Sequence, residues 1–212
     1  MTLPGTLIIA RHHESEWNKE GLWTGTRDVH LTPYGVQKSA EMGLLIKDLP
    51  PDYAFVSTQV RTDETLDAML KALNITTLDG ESNPSLNERD YGDYTGKNKW
   101  EVEKEIGAEA FEHMRRDWDY PIPHGETLKM VYDRIVPFYC DTVLPLLWAG
   151  HRVLIVSHGN ALRALMMYLE SVPPERAAEE EMLFGSVVIY TLDDEGRMAH
   201  KEVRTVPSEV HA

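Results

Sequence analysis

The 212-residue chain holds one cysteine, Cys140, and few basic residues: 21 Lys and Arg stand against 35 Asp and Glu, a formal net charge of −14. A lone thiol forms no internal disulfide, and nothing near Cys140 suggests a metal cluster, which fits a reducing cytoplasm. The shortage of positive charge speaks against a nucleic-acid partner, because gripping a polyanion relies on many Lys and Arg releasing counterions. It speaks equally against adhesion to anionic membranes. Long apolar runs are missing as well. The opening MTLPGTLIIARHH has no basic leader, and Leu7 to Ala10 is far too short for a signal core or a membrane span. No internal repeat, low-complexity tract or linker is evident. With 42% hydrophobic residues the sequence is too apolar for disorder, and its length fits a single domain over residues 1–212.

Four short apolar, β-branched runs read as buried strands: residues 6 to 10, Tyr53 to Ser57, Val153 to Ser157 and Val187 to Leu192. Helical patterns lie between them. The first opens with Thr32 as N-cap and Pro33 at the first helical position, sets Val36, Ala40, Gly43, Leu44 and Lys47 along one side, and ends before Pro50-Pro51. Others cover Arg61 to Ala72, about Thr127 to Trp148, and the stretch after Gly159 with Leu162, Leu165, Met166 and Leu169 facing a core. Pro137 and Pro145 should kink or break the third of these, and Gly150 stops it. Strands alternating with helices predict an α/β fold with a mainly parallel sheet covered on both faces. The polar stretch from Asp79 to Arg116 is too long for an ordinary connection. We read residues 79–126 as a helical insertion over the sheet's edge and the active site, with helices at Trp100 to Ile106 and Glu109 to Asp117.

Two of the strands end alike, in Ile9-Ala10-Arg11-His12 and in Ile155-Val156-Ser157-His158. Ligands of open α/β sheets bind outside the carboxyl ends of the strands, so two such histidines can face one another across a crevice. Each alone could be no more than a hydrogen-bonded strand terminus. A neutral imidazole is a competent nucleophile toward phosphorus, and an adjacent guanidinium stabilises charge on the equatorial oxygens; Arg11-His12 supplies both. A metal is the rival use of the histidines, but there is no HExxH spacing, carboxylate-rich loop or cysteine pair to support it, so no metal is expected.

Arg11-His12-His13-Glu14-Ser15-Glu16-Trp17-Asn18 resembles the RHGESxWN signature of the histidine phosphatase superfamily, more narrowly its cofactor-dependent (2,3-bisphosphoglycerate-dependent) phosphoglycerate mutases. Thr24-Gly25 in LWTGTRDVHLT resembles the FTGWxDVxLT segment, and Leu86 to Gly92 is similar to LNERxYG. Gly96 to Lys99 is similar to GLNK, Arg115-Arg116 to the WRR pair, and VLIVSHGNALRAL to VLIxxHGNSLRAL. The matches come in family order over nearly the whole chain, and PIPHGET resembles the PPGGES stretch of the compact bacterial form.

The resemblance implies interconversion of 3-phosphoglycerate and 2-phosphoglycerate, a step of glycolysis and gluconeogenesis. It implies a phosphohistidine at His12, priming by 2,3-bisphosphoglycerate, no metal, and assembly as dimers or tetramers. Arg11, Arg61, Asn18 and His158 would bind the transferring phosphoryl group. Glu88 would be the general acid/base; its plain alternative is an exposed loop acid paired with Arg89. Lys99, Arg115 and Arg116 would hold the substrate's carboxylate and second phosphate, although an Arg pair on a helix is more often a solvated face. Tyr91 would add a hydroxyl, Thr24, Gly25, Gly159 and Asn160 further contacts, and Arg89 a sixth cation of the pocket.

Some positions depart from the pattern. His13 stands where the family has glycine, so that an imidazole is expected to crowd the phosphate. Lys97 replaces Leu, Met114 replaces Trp, and Phe184-Gly185-Ser186 replaces a Thr-Gly turn. Two alternatives therefore stay open: a histidine phosphatase acting on small phosphorylated metabolites, and a non-catalytic anion-binding relative. Trp100, Trp118 and Trp148 read as packing residues, and Glu179-Glu180-Glu181 as a solvated face. His30, His113, His151, His200 and His211 read as surface residues, and the tail after Lys201 as short and polar.

Overall fold

The computed structural model describes residues 5–193, 195 and 197–207. Strand β1 (Thr6–Arg11) sits inside a six-stranded sheet with β2 (Tyr53–Val56), β3 (Asp79–Ser82), β4 (Arg152–Ser157), β5 (Ser186–Leu192) and β6 (Met198–Thr205), in the order β3-β2-β4-β1-β5-β6. The β3-β2, β2-β4 and β4-β1 pairs are parallel, whereas β5 runs antiparallel to both β1 and β6. The central strands carry apolar residues on both faces because both are covered. Leu7, Ile9, Val153 and Ile155 join one core, while Ile8, Ala10, Leu154 and Val156 join the other.

Helices α1 (Glu16–Glu20), α2 (Pro33–Leu44) and α3 (Val60–Leu73) precede β3. Thr32 caps α2 by accepting from the Gly35 N–H at 3.0 Å, as its Thr-Pro start predicts. The buried face is displaced from the expected one: Gly35, Ser39, Met42 and Gly43 go inward, and Val36 and Leu44 are exposed. The displacement follows from close approach to α3, since a Cβ on Gly43 would lie 2.6 Å from the Met69 carbonyl. The long helical pattern becomes α6 (Leu128–Phe138), a π-helical turn at Tyr139–Val143 and α7 (Leu144–Trp148). Pro145 lacks the N–H an α-helix needs, and the π turn absorbs the break without ending the helical path. Helix α8 (Gly159–Leu169) buries the four residues its spacing selects, alongside α6.

Strands β3 and β6 were not expected. β3 reads DGES and is exposed throughout, an edge strand with no apolar signal, and β6 (Met198–Thr205) takes in the first four residues of the polar tail after Lys201. Helices α4 (Lys99–Ile106) and α5 (Ala108–Arg116) form where expected, over a small core of Trp23, Tyr91, Val102, Phe111, Met114 and Ile122. Two tryptophans break the packing expectation: Trp100 is 58% and Trp148 51% exposed, whereas Trp118 packs against Tyr132. His30, His113 and His200 are exposed, His151 is half-buried against Tyr53, and His211 lies outside the described residues.

Candidate active site

The register of the parallel strands builds the site. Arg11 pairs with Ser157 across β1 and β4, so His12 and His158 leave the sheet side by side, with ring centroids 5.0 Å apart. β2 ends at the same level and delivers Ser57, whose hydroxyl is 2.8 Å from His158 Nε2. The first turn of α3 then contributes Arg61, and α8 begins directly after His158. Two helix N-termini thus face the same crevice, an arrangement that favours anions.

His12 is 4% exposed, and its Nδ1–H donates to the His13 carbonyl at 2.7 Å. That bond fixes the tautomer and leaves Nε2 as the lone-pair nitrogen, which accepts from Arg61 Nε at 3.3 Å. Burial, then the Arg61 and Arg11 guanidinium groups, hold the His12 imidazole well below its ordinary range. His158 is lowered likewise, by burial and by Arg61. Arg61 is itself locked in place, with Nη1 donating to the Arg27 carbonyl and Nη2 to the Gly25 carbonyl.

Glu88 lies across the crevice, 9% exposed, and is not an exposed loop acid: its Oε1 accepts from the Arg89 N–H at 2.7 Å and the Asn160 N–H at 3.2 Å. Arg11 donates to the Met182 carbonyl at 2.8 Å and lies against the Phe184 ring, with its Cζ 3.7 Å from the centroid. Gly159 permits this, because a Cβ there would stand 3.2 Å from that same Cζ. Asn18 fixes its side-chain oxygen in the α1 capping box with Ser15. The Asn160 side chain donates to the Tyr91 hydroxyl at 2.8 Å.

The resulting cavity, about 100 Å³, is lined by most of the expected residues: Arg11, His12, Asn18, Thr24, Gly25, Arg61, Glu88, Tyr91, Lys99, Arg115, Arg116, Gly159 and Asn160. His158 and Arg89 lie behind its wall, the former under His12 and the latter against the Tyr91 ring. Five lining residues escaped sequence reasoning: Leu22, Trp23, Arg163, Glu181 and Met182. Glu181 pairs with Arg116 at 3.4 Å, so the acidic run is not wholly a solvated face. Several buried polar atoms at the crevice have no partner among the described residues, including Arg11 Nε, Thr24 Oγ1 and Arg163 Nε. Donors left open in this way suit a polar, anionic ligand. Among the described residues no three metal-ligating side chains converge, and no helix is long and apolar enough to cross a membrane.

The family model described as histidine phosphatase superfamily, branch 1, matches residues 7–203. The chain belongs to that family. A 2,3-bisphosphoglycerate-dependent phosphoglycerate mutase of Parvibaculum lavamentivorans is 39% identical over 99% of this chain and 100% of the relative. A protein of the same name from Rhodopseudomonas palustris is 43% identical over 92% and 95% of the two chains. Among solved structures, Bacillus stearothermophilus YhfR superposes with a TM-score of 0.82 at 27% identity, covering 98% of this chain and 100% of that one.

Set against the superfamily's RHG pattern, His13 does not crowd the crevice. It is absent from the lining, and its ring turns away to pack against Tyr34 and Phe184, with centroids 5.4 and 5.6 Å off. Its backbone φ is not positive, so this chain does not need glycine there.

Proposed function

We propose that this chain interconverts 3-phosphoglycerate and 2-phosphoglycerate through a phosphohistidine at His12, as its mutase-named relatives suggest. One observation carries the reading: the crevice joins a neutral, lone-pair imidazole and a carboxylate at one end to a cluster of cations at the other. 2,3-Bisphosphoglycerate, when bound, supplies the phosphoryl group that primes His12. Lys99, Arg115 and Arg116 suit its remaining charges, and the open donors of Arg11 and Thr24 suit its oxygens. From phosphorylated His12, the N–P bond breaks as a substrate hydroxyl oxygen bonds to phosphorus, and Glu88 takes the hydroxyl proton. Arg11 and Arg61 stabilise the charge spread over the equatorial oxygens. Transfer back to Nε2 from the neighbouring oxygen, with Glu88 returning the proton, completes the isomerisation.

The test is conversion of 3-phosphoglycerate to 2-phosphoglycerate with and without added 2,3-bisphosphoglycerate. Priming-dependent conversion that survives a chelator is expected; release of inorganic phosphate without 2-phosphoglycerate would make the chain a phosphatase. A pH dependence accompanies it. Burial, with Arg11 and Arg115 nearby, pushes the Lys99 ammonium down to about 8, so the charge that holds the substrate is present below that pH and lost above it. KM for 3-phosphoglycerate should therefore rise between pH 7 and 9, and Lys99→Met should raise KM at pH 7 and flatten that rise. An identical pH profile in the variant would remove Lys99 from substrate binding.

A further inference from the structure

Arg163 stands out among the residues that the proposed chemistry leaves unused. It lies one turn into α8, is 4% exposed, and has no carboxylate in hydrogen-bond contact among the described residues. Its Nη1 donates to the Arg115 carbonyl at 3.0 Å and its Nη2 to the Arg116 carbonyl at 2.7 Å. The last carbonyls of a helix have no partner within it, and at a surface water would serve them. Here a buried cation serves them instead, although burying a guanidinium is costly and Arg89 nearby adds like charge. The planar fork of arginine sets a separate nitrogen on each of two successive carbonyls in a fixed geometry, which the single ammonium of lysine does not reproduce.

The same turn of α8 holds the opposite wall of the crevice. The Asn160 N–H donates to Glu88, its side-chain amide donates to Tyr91, and its Oδ1 is 3.5 Å from Arg163 Nη1. One rigid helical turn therefore fixes both Glu88 and the backbone that carries Arg115 and Arg116. We propose that Arg163 is a positioning residue: by holding the end of α5 to the first turn of α8, it sets the spacing between Glu88 and the Arg115-Arg116 pair, so that a substrate hydroxyl rather than water meets the phosphoryl group on His12. The inference rests on the mutase reading. With the spacing loose, water bonds to phosphorus as the N–P bond breaks, and its proton goes to Glu88.

The experiment compares wild type with R163K, which keeps the charge and a donor but loses the two-nitrogen fork, and R163M, which can donate to neither carbonyl. Each is followed with 3-phosphoglycerate and 2,3-bisphosphoglycerate, and 2-phosphoglycerate and inorganic phosphate are measured together. We expect KM to rise roughly tenfold in R163M and less in R163K, with kcat changing little, and the phosphate released per 2-phosphoglycerate formed to increase in the same order. A fall in kcat at constant KM, or an unchanged product ratio in a folded variant, overturns the proposal. If R163M does not fold, R163K decides by the same readouts. Should the wild type only hydrolyse 3-phosphoglycerate, the mutase reading fails on that result alone, and the KM comparison still decides whether Arg163 positions the pair.

Discussion

Replacing His12 by Asn should lower turnover by at least about 10⁴-fold, because the variant keeps a side chain of similar reach but has no nitrogen lone pair to take the phosphoryl group. The surroundings make this loss specific. In the wild type the Nδ1–H bond to the His13 carbonyl leaves Nε2 unprotonated, and burial together with Arg61 and Arg11 keeps it so through the neutral range. The amide of the substituted side chain could still donate to the same carbonyl, so little of the fold should be disturbed. Incubation with 2,3-bisphosphoglycerate should add one phosphoryl group to the wild-type chain by mass spectrometry and none to His12→Asn. Labelling that persists in the variant would move the nucleophile elsewhere.

The second large effect is on stability. His12, His13 and His158 are all buried, and each is held below its ordinary range, first by burial and then by nearby cations; His13 falls to about 4. The unfolded chain takes up a proton on each as pH falls through about 6.5, while the folded chain does not. Over that window the unfolded state binds more protons, so stability rises with pH, and the stability present above about pH 6.5 is lost on acidification. Each histidine contributes up to about 1.4 kcal/mol per pH unit, and the three together about 4. Urea midpoints at pH 7.5 and 5.5 should show a steep fall, and His13→Asn should make it shallower by about one proton's worth. A stability that stays flat between those pH values would mean that the imidazoles charge freely in the folded protein.

The centre of the sheet is legible in the sequence and its edges are opaque. β1, β2, β4 and β5 announce themselves because strands covered on both faces must be apolar along their whole length. β3 and β6, each with an exposed outer edge, carry DGES and MAHKEVRT, which have no reason to look like buried strands. The buried face of α2 lies about one residue away from its apolar spacing because Ser39 and Gly43, both small, permit the close contact with Thr65 and Met69 of α3 that larger residues would block. At the site, the residues of the family motifs gather as a group, and sequence order alone hides only their depth, as with Arg89 and His158. Arg163 is inconspicuous because it sits in a helix whose other signals are apolar and point to packing. Its place in the VLIVSHGNALRAL segment and its offset of three residues from Asn160, one turn along the same face, are the available clues. Glu181 and Phe184 carry none, since their relevance depends on where the segment before β5 crosses Arg11.

The neighbours of β1 also govern when the site can exist. β1, which leads into His12, comes before the other strands of the sheet in the chain, yet the strands on either side of it, β4 and β5, follow only after α7. A nascent chain therefore carries an apolar strand with two unpaired edges until β4 and β5 have been made, the condition under which chaperones and misassembly compete with folding. His12 meets His158 only once β4 has been made, and Arg11 meets Met182 only once the segment before β5 has followed. Shortened chains that stop before β5 should accordingly be inactive and prone to aggregate, although they contain every residue of the amino-terminal motif.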